Sequence, residues 1–314
     1  MEKRQIKQVH FQITRNCNLR CPFCGQWGKK GFFGGSSGNA MTLEDWERII
    51  SELASYRERH GRNITVTVWG GEPLVSPYFD VIIRQLKEKG FNTEVITNGV
   101  LIDCHSTVLN ECADRLYVSL DGTKEVHDAI RGEGVFEKVT VNLANLKHKN
   151  VTVMSVITPK LLETLPEFVS GLEKLDVNRL YLQDMIGLTA GEINEYKRWL
   201  KDTFDIAAKD INSWENDKLF KAEQITLSKP GFEITHKSHF ADGYCKSPFY
   251  HAHIAWNGNV LYCTDFYDFS AGNVKNNTLE DIFLNEKSEK FREETKNGRC
   301  VTCRHCSWKS NDFI

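Results

Sequence analysis

The sequence predicts an α/β fold: a partial (β/α)6, TIM-like barrel of parallel strands carrying a small cysteine-rich C-terminal extension. Three observations point there. From residue 9 to about 185, short β-branched or apolar runs alternate with helical patterns, which is the signature of βα units around a parallel sheet. The ten cysteines fall mainly in two groups, three at residues 17–24 and five between Cys245 and Cys306. With 314 residues, the chain fits one medium domain plus a small one.

The expected strands are Val9 to Thr14, Ile64 to Trp69, Thr93 to Thr97, Arg115 to Leu120, Val151 to Ile157 and Arg179 to Gln183. Helices should start near Leu43, Tyr78, Asp103, Phe136 and Leu161. Thr42 with Asp45 reads as an N-cap with an acidic first turn, and Ile49, Ile50 and Leu53 continue the apolar face. Gly28 to Asn39, rich in Gly and Ser, is expected to be a loop beside the first cysteines, either a plain connection or a substrate-contacting lid. A long helix is expected from Thr189 to about Asn212. His236 and His239 carry no assignment. Ile254 to Trp256 and Val260 to Tyr262 flank Asn257-Gly258 and read as a hairpin that brings Cys245 near Cys263. Thr278 should cap a helix through Ile282 and Phe283. Cys104 and Cys112 are expected in the core.

A net charge of −2 with interspersed signs leaves no basic stripe for nucleic acid. No apolar run approaches the roughly 20 residues of a membrane span, and residues 1–5 lack a signal-peptide core. A cytoplasmic protein is expected, and in that reducing setting ten cysteines point to metal rather than disulfides.

Cys17-Asn18-Leu19-Arg20-Cys21-Pro22-Phe23-Cys24 follows the first strand directly. Thiolates are soft ligands for iron–sulfur clusters or zinc, and Pro22 keeps the loop from closing into a helix. Three cysteines without a nearby fourth would leave one iron of a 4Fe-4S cluster open. A zinc knuckle closed by a fourth ligand is the competing reading. This C-x3-C-x2-C run, with Phe23 before its last cysteine, resembles the radical S-adenosylmethionine (SAM) superfamily. The resemblance implies that SAM chelates the open iron and that an electron from the cluster cleaves it to a 5'-deoxyadenosyl radical, which abstracts hydrogen from substrate.

Further segments fit that resemblance. Trp69-Gly70-Gly71-Glu72-Pro73 matches the family's GGEP segment, which implies that Gly70, Gly71, Glu72 and Pro73 hold the SAM amino group. Its glycines allow close approach to a ligand or positive φ, and Glu72 can accept from an ammonium group. Thr97-Asn98-Gly99 and Val118-Ser119-Leu120-Asp121-Gly122 end the third and fourth strands, where parallel α/β proteins place ligands. With His127-Asp128, Arg131-Gly132 and Phe136 they look like the subgroup carrying extra clusters. By resemblance Asn98, Ser119 and Arg131 become SAM contacts; for Asp121 a turn cap is the alternative reading. Gln183 and Asp184 sit at a strand end without an assigned role.

Cys245, the hairpin to Cys263, a helix, and Cys300-x2-Cys303-x2-Cys306 resemble the SPASM extension or its shorter relative, twitch. Five cysteines suffice for one four-cysteine auxiliary cluster, expected as 4Fe-4S, with one thiol over, which favours twitch. Cys245, Cys263, Cys303 and Cys306 are the expected ligands, the last two because Trp308 follows at the family's spacing. Cys300 is the alternative ligand, or else a hydrogen-atom donor. A structural four-cysteine zinc site competes.

The organisation expected is a barrel at 7–187, a bridging helical region at 188–239 and the auxiliary-cluster domain at 240–314. The resemblance implies an oxidation or epimerisation of a sugar- or aminocyclitol-like small molecule or a peptide, with electrons from a flavodoxin- or ferredoxin-type donor. The first strand begins almost at the N-terminus, which tips the expectation toward small molecules, or toward peptides bound with help from a separate protein. A peptide thioether or epimerase maturase is the alternative, and a non-enzymatic iron–sulfur or zinc scaffold the reading from another class.

Overall fold

The computed structural model describes residues 4–27, 39–175, 177, 179–185, 187–209, 215, 233–237, 244–264 and 267–306. The loop expected at 28–39, apart from Asn39, lies outside these residues, as do His239, the His236 side chain and Trp308.

The six expected strands all form: β1 (Gln8–Thr14), β2 (Thr65–Gly70), β3 (Asn92–Thr97), β4 (Arg115–Ser119), β5 (Val151–Val156) and β6 (Arg179–Gln183). Two more extend the parallel array. β7 (Glu233–Lys237) pairs with β6, and β8 (His251–Ile254) pairs with β1, Gln8 opposite His251 and His10 opposite His253. The barrel therefore has eight consecutive parallel strands among the described residues rather than six. The hairpin from β8 to β9 (Asn259–Leu261) turns at Asn257-Gly258 as expected, and β10 (Gly272–Asn273) completes the sheet.

Period-two alternation sorts each strand into two faces. Val9, Phe11, Val66, Val68, Val95, Leu116, Val118 and Val153 are buried in the core; in β1 and β2 the alternate residues His10, Thr67 and Trp69 line the lumen. Helices cover the outside: α1 (Leu43–His60), α2 (Phe79–Glu88), α3 (Ile102–Cys112), α4 (Lys124–Arg131), α5 (Val135–Asn145) and α6 (Pro159–Leu172). Thr42 and Asp45 close a reciprocal capping box at α1, whose Trp46 ring packs 5.0 Å from Phe11. Cys112 is buried, but Cys104 is exposed, so only one of the pair serves the core.

Helix α7 (Ala190–Phe204) starts at a second capping box, Thr189 with Glu192. It stops earlier than periodicity suggests. Asp205 takes the left-handed conformation at φ 55°, and the N–H groups of Asp205 and Ile206 turn back to Lys201 and Leu200 carbonyls, which closes the helix. In the tail, α8 (Leu279–Leu284) is capped by Thr278 as expected, and α9 (Glu286–Lys296) follows. No helix among the described residues is long and apolar enough to cross a membrane.

Candidate active site and cluster cysteines

At the C-terminal mouth of the strands, Cys17, Cys21 and Cys24 open on one cavity of about 270 Å³, together with Phe23, Gly71 and Glu72. Asn98, Ser119 and Arg131 line the same cavity. Of the residues expected at the N-terminal site, all but Pro73 line this cavity.

Gly70 and Gly71 both line this cavity, and they also meet the chain itself. Neither Gly70 nor Gly71 has positive φ, and the close approach they permit is to the chain itself. A Cβ on Gly70 would lie 2.6 Å from Thr14 O, and one on Gly71 only 2.4 Å from Asn16 O. Gly71 and Glu72 donate their N–H groups to Thr14 O (2.9 Å) and Asn16 O (2.8 Å). The end of β2 therefore clamps the segment that leads into Cys17. Pro73 is buried and starts a 3-10 turn.

Glu72 is 1% exposed. Its Oε1 accepts from Leu74 N–H (3.1 Å) and the Thr97 hydroxyl (2.7 Å), and its Oε2 from Asn98 N–H (2.6 Å). Burial pushes its pKa up to about 7, against those hydrogen bonds. A carboxylate offers about four lone-pair sites, so an acceptor position remains beyond these three. The carboxylate fixes the end of β3, and Asn98 then donates from Nδ2 to Asn18 Oδ1 at 2.7 Å, holding the cysteine loop. Gly99, at φ 83°, lies so close to Val118 that a Cβ would come within 2.9 Å. Arg20 braces the loop from outside, donating to Cys17 O and Leu19 O, with its guanidinium 4.4 Å from the Trp27 ring centroid.

Asp121 is more than a turn cap. Fully buried, it accepts from Arg131 Nε at 2.6 Å and from Val156 N–H at 3.0 Å, while its own N–H donates to His127 Nδ1. Burial opposes the Arg131 charge, yet Asp121 and then Cys21 hold its pKa above the ordinary guanidinium value. Sequence reasoning missed this ion pair, since nothing local in Asp121 and Arg131 says that they meet. Burial also raises Cys17 to about 11 and raises Cys21; metal coordination deprotonates a thiol outright.

The second cysteine set surrounds the other end of the lumen. Cys245, Cys263 and Cys306 line a second cavity of about 270 Å³. Cys303 lies within hydrogen-bond reach of Cys245 and Cys300, which raises its pKa and lowers that of Cys300. Cys300 shares a small pocket of about 10 Å³ with Cys263 and does not line the lumen. The two large cavities have a common wall of Trp69, Ile96, Ser119, Arg131, Val156 and Gln183. Gln183 lines both and Asp184 the first. Among the described residues no three His, Cys, Asp or Glu side chains converge tightly enough for one metal ion. The donor set fits iron–sulfur clusters.

A parallel partial barrel with one thiol set at its mouth and a second set facing it across the lumen defines a cluster-binding barrel protein. The family model of the radical SAM superfamily matches residues 11–175, and that of the SPASM iron–sulfur cluster-binding domain matches residues 245–307. The chain belongs to the radical SAM superfamily and carries a SPASM domain, so it is an enzyme of SAM and iron–sulfur clusters. It is 25% identical to a tungsten-containing aldehyde ferredoxin oxidoreductase cofactor-modifying protein of Pyrococcus furiosus, over 98% of this chain and 90% of that protein. It is 24% identical to a cysteine-type anaerobic sulfatase-maturating enzyme of Clostridium novyi, over 94% and 83%. The fold resembles Streptococcus suis SuiB bound to S-adenosylmethionine, with a TM-score of 0.67 at 16% identity over 97% of this chain and 72% of SuiB. SuiB is also known bound to its precursor peptide SuiA.

Proposed function

We propose that the protein is a peptide-modifying radical SAM enzyme whose substrate residue sits in the lumen between the two cysteine sets. The observation that carries this is the shared wall of the two cavities, from Trp69 to Gln183. A group held there is within reach of both ends. The sulfatase-maturating relative and the SuiB complex with SuiA favour a polypeptide over the sugar- or aminocyclitol-like molecule expected from sequence.

Cys17, Cys21 and Cys24 would hold the SAM-binding cluster, and Glu72, Asn98, Ser119 and Arg131 would surround SAM. When bound, the cluster and SAM supply one electron and, from SAM, a hydrogen-abstracting 5'-deoxyadenosyl radical. The protein's part is placement. Glu72 anchors the turn that orients Asn98, and Asp121 aims Arg131 into the cavity. For the auxiliary cluster, the nearness of Cys303 to Cys245 and Cys300, and of Cys263 to Cys300, supports Cys245, Cys263, Cys300 and Cys303 as ligands. In this reading Cys306 stays on the lumen, in place of the Cys303 and Cys306 pair expected from sequence, and Cys300 is a ligand rather than the hydrogen donor. A flavodoxin- or ferredoxin-type donor would supply the electrons.

The test is anaerobic reconstitution with dithionite and SAM, followed by incubation with short peptides encoded beside the gene. Expected are 5'-deoxyadenosine above background, abolished in Cys17→Ala, and a mass change in one peptide. Iron lost in Cys300→Ala but retained in Cys306→Ala supports the ligand set; the reverse restores the pair expected from sequence. Absence of 5'-deoxyadenosine would sink the enzymatic reading.

A further inference from the structure

Two of the three N-terminal thiols receive a backbone hydrogen bond. Leu19 N–H donates to Cys17 Sγ and Trp27 N–H to Cys24 Sγ, both at 3.4 Å, while Asn98 Nδ2 stands 4.0 Å from Cys17 Sγ. Hydrogen bonds to sulfur are among the levers that set an iron–sulfur potential, because they favour the more negative, reduced cluster. Whatever fixes these two amides therefore acts on the cluster that the thiols would hold.

Both amides are fixed from the solvent side by one pair of side chains. Arg20 is exposed, yet its Nη1 donates to Cys17 O and to Leu19 O, each at 2.7 Å. The planar peptide group that carries Leu19 N–H lies between those two carbonyls, so pinning both sets its tilt. The Arg20 guanidinium carbon lies 4.4 Å from the Trp27 ring centroid, a stack that keeps the fork in one orientation. The Trp27 indole N–H donates in turn to Arg15 O, two residues before Cys17. That bond holds the residue whose own backbone N–H reaches Cys24. Arg15 O, Trp27, Arg20 and Cys17 O thus form a continuous set of contacts that closes the cysteine loop on itself.

We propose that Arg20 and Trp27 are positioning residues, a clasp that keeps the Leu19 and Trp27 amides on the cluster sulfurs, raises the reduction potential of the N-terminal cluster and slows its loss. The inference rests on the reading of Cys17, Cys21 and Cys24 as cluster ligands.

Other effects of the same substitutions carry different signatures. Trp27 lines the first cavity, so removing it admits water, which favours the more highly charged reduced cluster and raises the potential. Losing the N–H donors lowers it. Removing Arg20 also removes a cation, but the influence of a charge at an exposed site fades with salt.

The test is an anaerobic redox titration of the reconstituted chain without SAM, followed by the electron paramagnetic resonance signal that Cys17→Ala abolishes. At the wild-type midpoint, where that cluster is half reduced, Trp27→Leu and Arg20→Gln should each lower the reduced-to-oxidised ratio at least about threefold, ~28 mV at 59 mV per tenfold for one electron. The fall should be the same in about 0.1 M and about 0.5 M potassium chloride. The double variant should fall no further than the larger single, because the clasp opens once. Iron release to a chelator should quicken at least about threefold in each variant, in step with the potential. Should Trp27→Leu take up no iron, Arg20→Gln, at a solvent-exposed position, carries the test through its salt dependence. An unchanged or raised ratio in Trp27→Leu, an Arg20→Gln effect that vanishes at high salt, or single effects that multiply in the double variant would overturn the clasp. A failed cluster reading looks different: the wild-type chain then shows no reducible signal that depends on Cys17.

Discussion

Replacing Gly71 by alanine is expected to displace the N-terminal cysteine loop while the rest of the barrel stays folded. The new Cβ would stand 2.4 Å from Asn16 O and 2.5 Å from Arg15 O. Both are main-chain atoms one and two residues before Cys17, so no side chain can swing aside. Comfortable approach of carbon to a carbonyl oxygen is about 3.3 Å, and the loop or the strand end must therefore retreat by nearly ~1 Å. Overpacking of this kind costs about 1–3 kcal/mol, and a shift of that size at a reacting centre lowers rate roughly 100-fold. The assay is iron and sulfide per chain after anaerobic reconstitution, with 5'-deoxyadenosine release on the same samples. One cluster's iron should be lost or labile and the auxiliary iron retained, with release down roughly 100-fold. Gly171 in α6 is the control, because a Cβ there meets nothing within 4 Å. Gly171→Ala should stabilise by about 0.5–1 kcal/mol and leave iron unchanged. Full iron and undiminished release in Gly71→Ala would refute the reasoning.

Asp121→Asn should lower stability by about 3–5 kcal/mol in denaturant titration, since it leaves the buried Arg131 guanidinium without its counter-charge; Asp121→Asn with Arg131→Met should recover most of that loss without restoring SAM binding by equilibrium dialysis. Burial lowers His127 from 6.5 to about 4, so the unfolded chain takes up the extra proton first and stability falls as pH drops from 6.5 toward 4, by about 3 kcal/mol. In His127→Leu the slope of stability against pH across that window should flatten by about one proton. Thr189→Ala removes the hydroxyl that accepts from Glu192 N–H at 3.3 Å and should cost about 1 kcal/mol in thermal unfolding.

The cysteine loop, the six βα strands and the capped helices were legible because each rests on local chemistry: ligand spacing, two-residue alternation, and a threonine three residues before an acid. The tail hairpin was legible for the same reason, through Asn257-Gly258. Pairings between distant segments were not. His251 to Ile254 reads locally as one arm of a hairpin, and only the assembled sheet reveals that its other edge belongs to β1. The Asp121–Arg131 pair hides equally, because ten residues separate partners that a turn and a short helix bring together. Gly70 and Gly71 were noticed for a ligand, whereas their smallness answers to the backbone of Thr14 to Asn16. The meeting of His10 with His251 and His253 follows from the pairing of β1 with β8, since single histidines at these positions carry no spacing signal of their own.

The docking of β8 onto β1 also sets an order of assembly. β1 gains its second neighbour only after roughly 240 further residues have left the ribosome, which at ordinary elongation rates takes about 12 to 50 seconds. Throughout that interval one margin of β1 stays unpaired and the thiols that follow it remain reachable. Cys17, Cys21 and Cys24 are therefore all present in the nascent chain before the sheet closes. A nascent chain stalled before β8 emerges would display an open strand edge prone to aggregation.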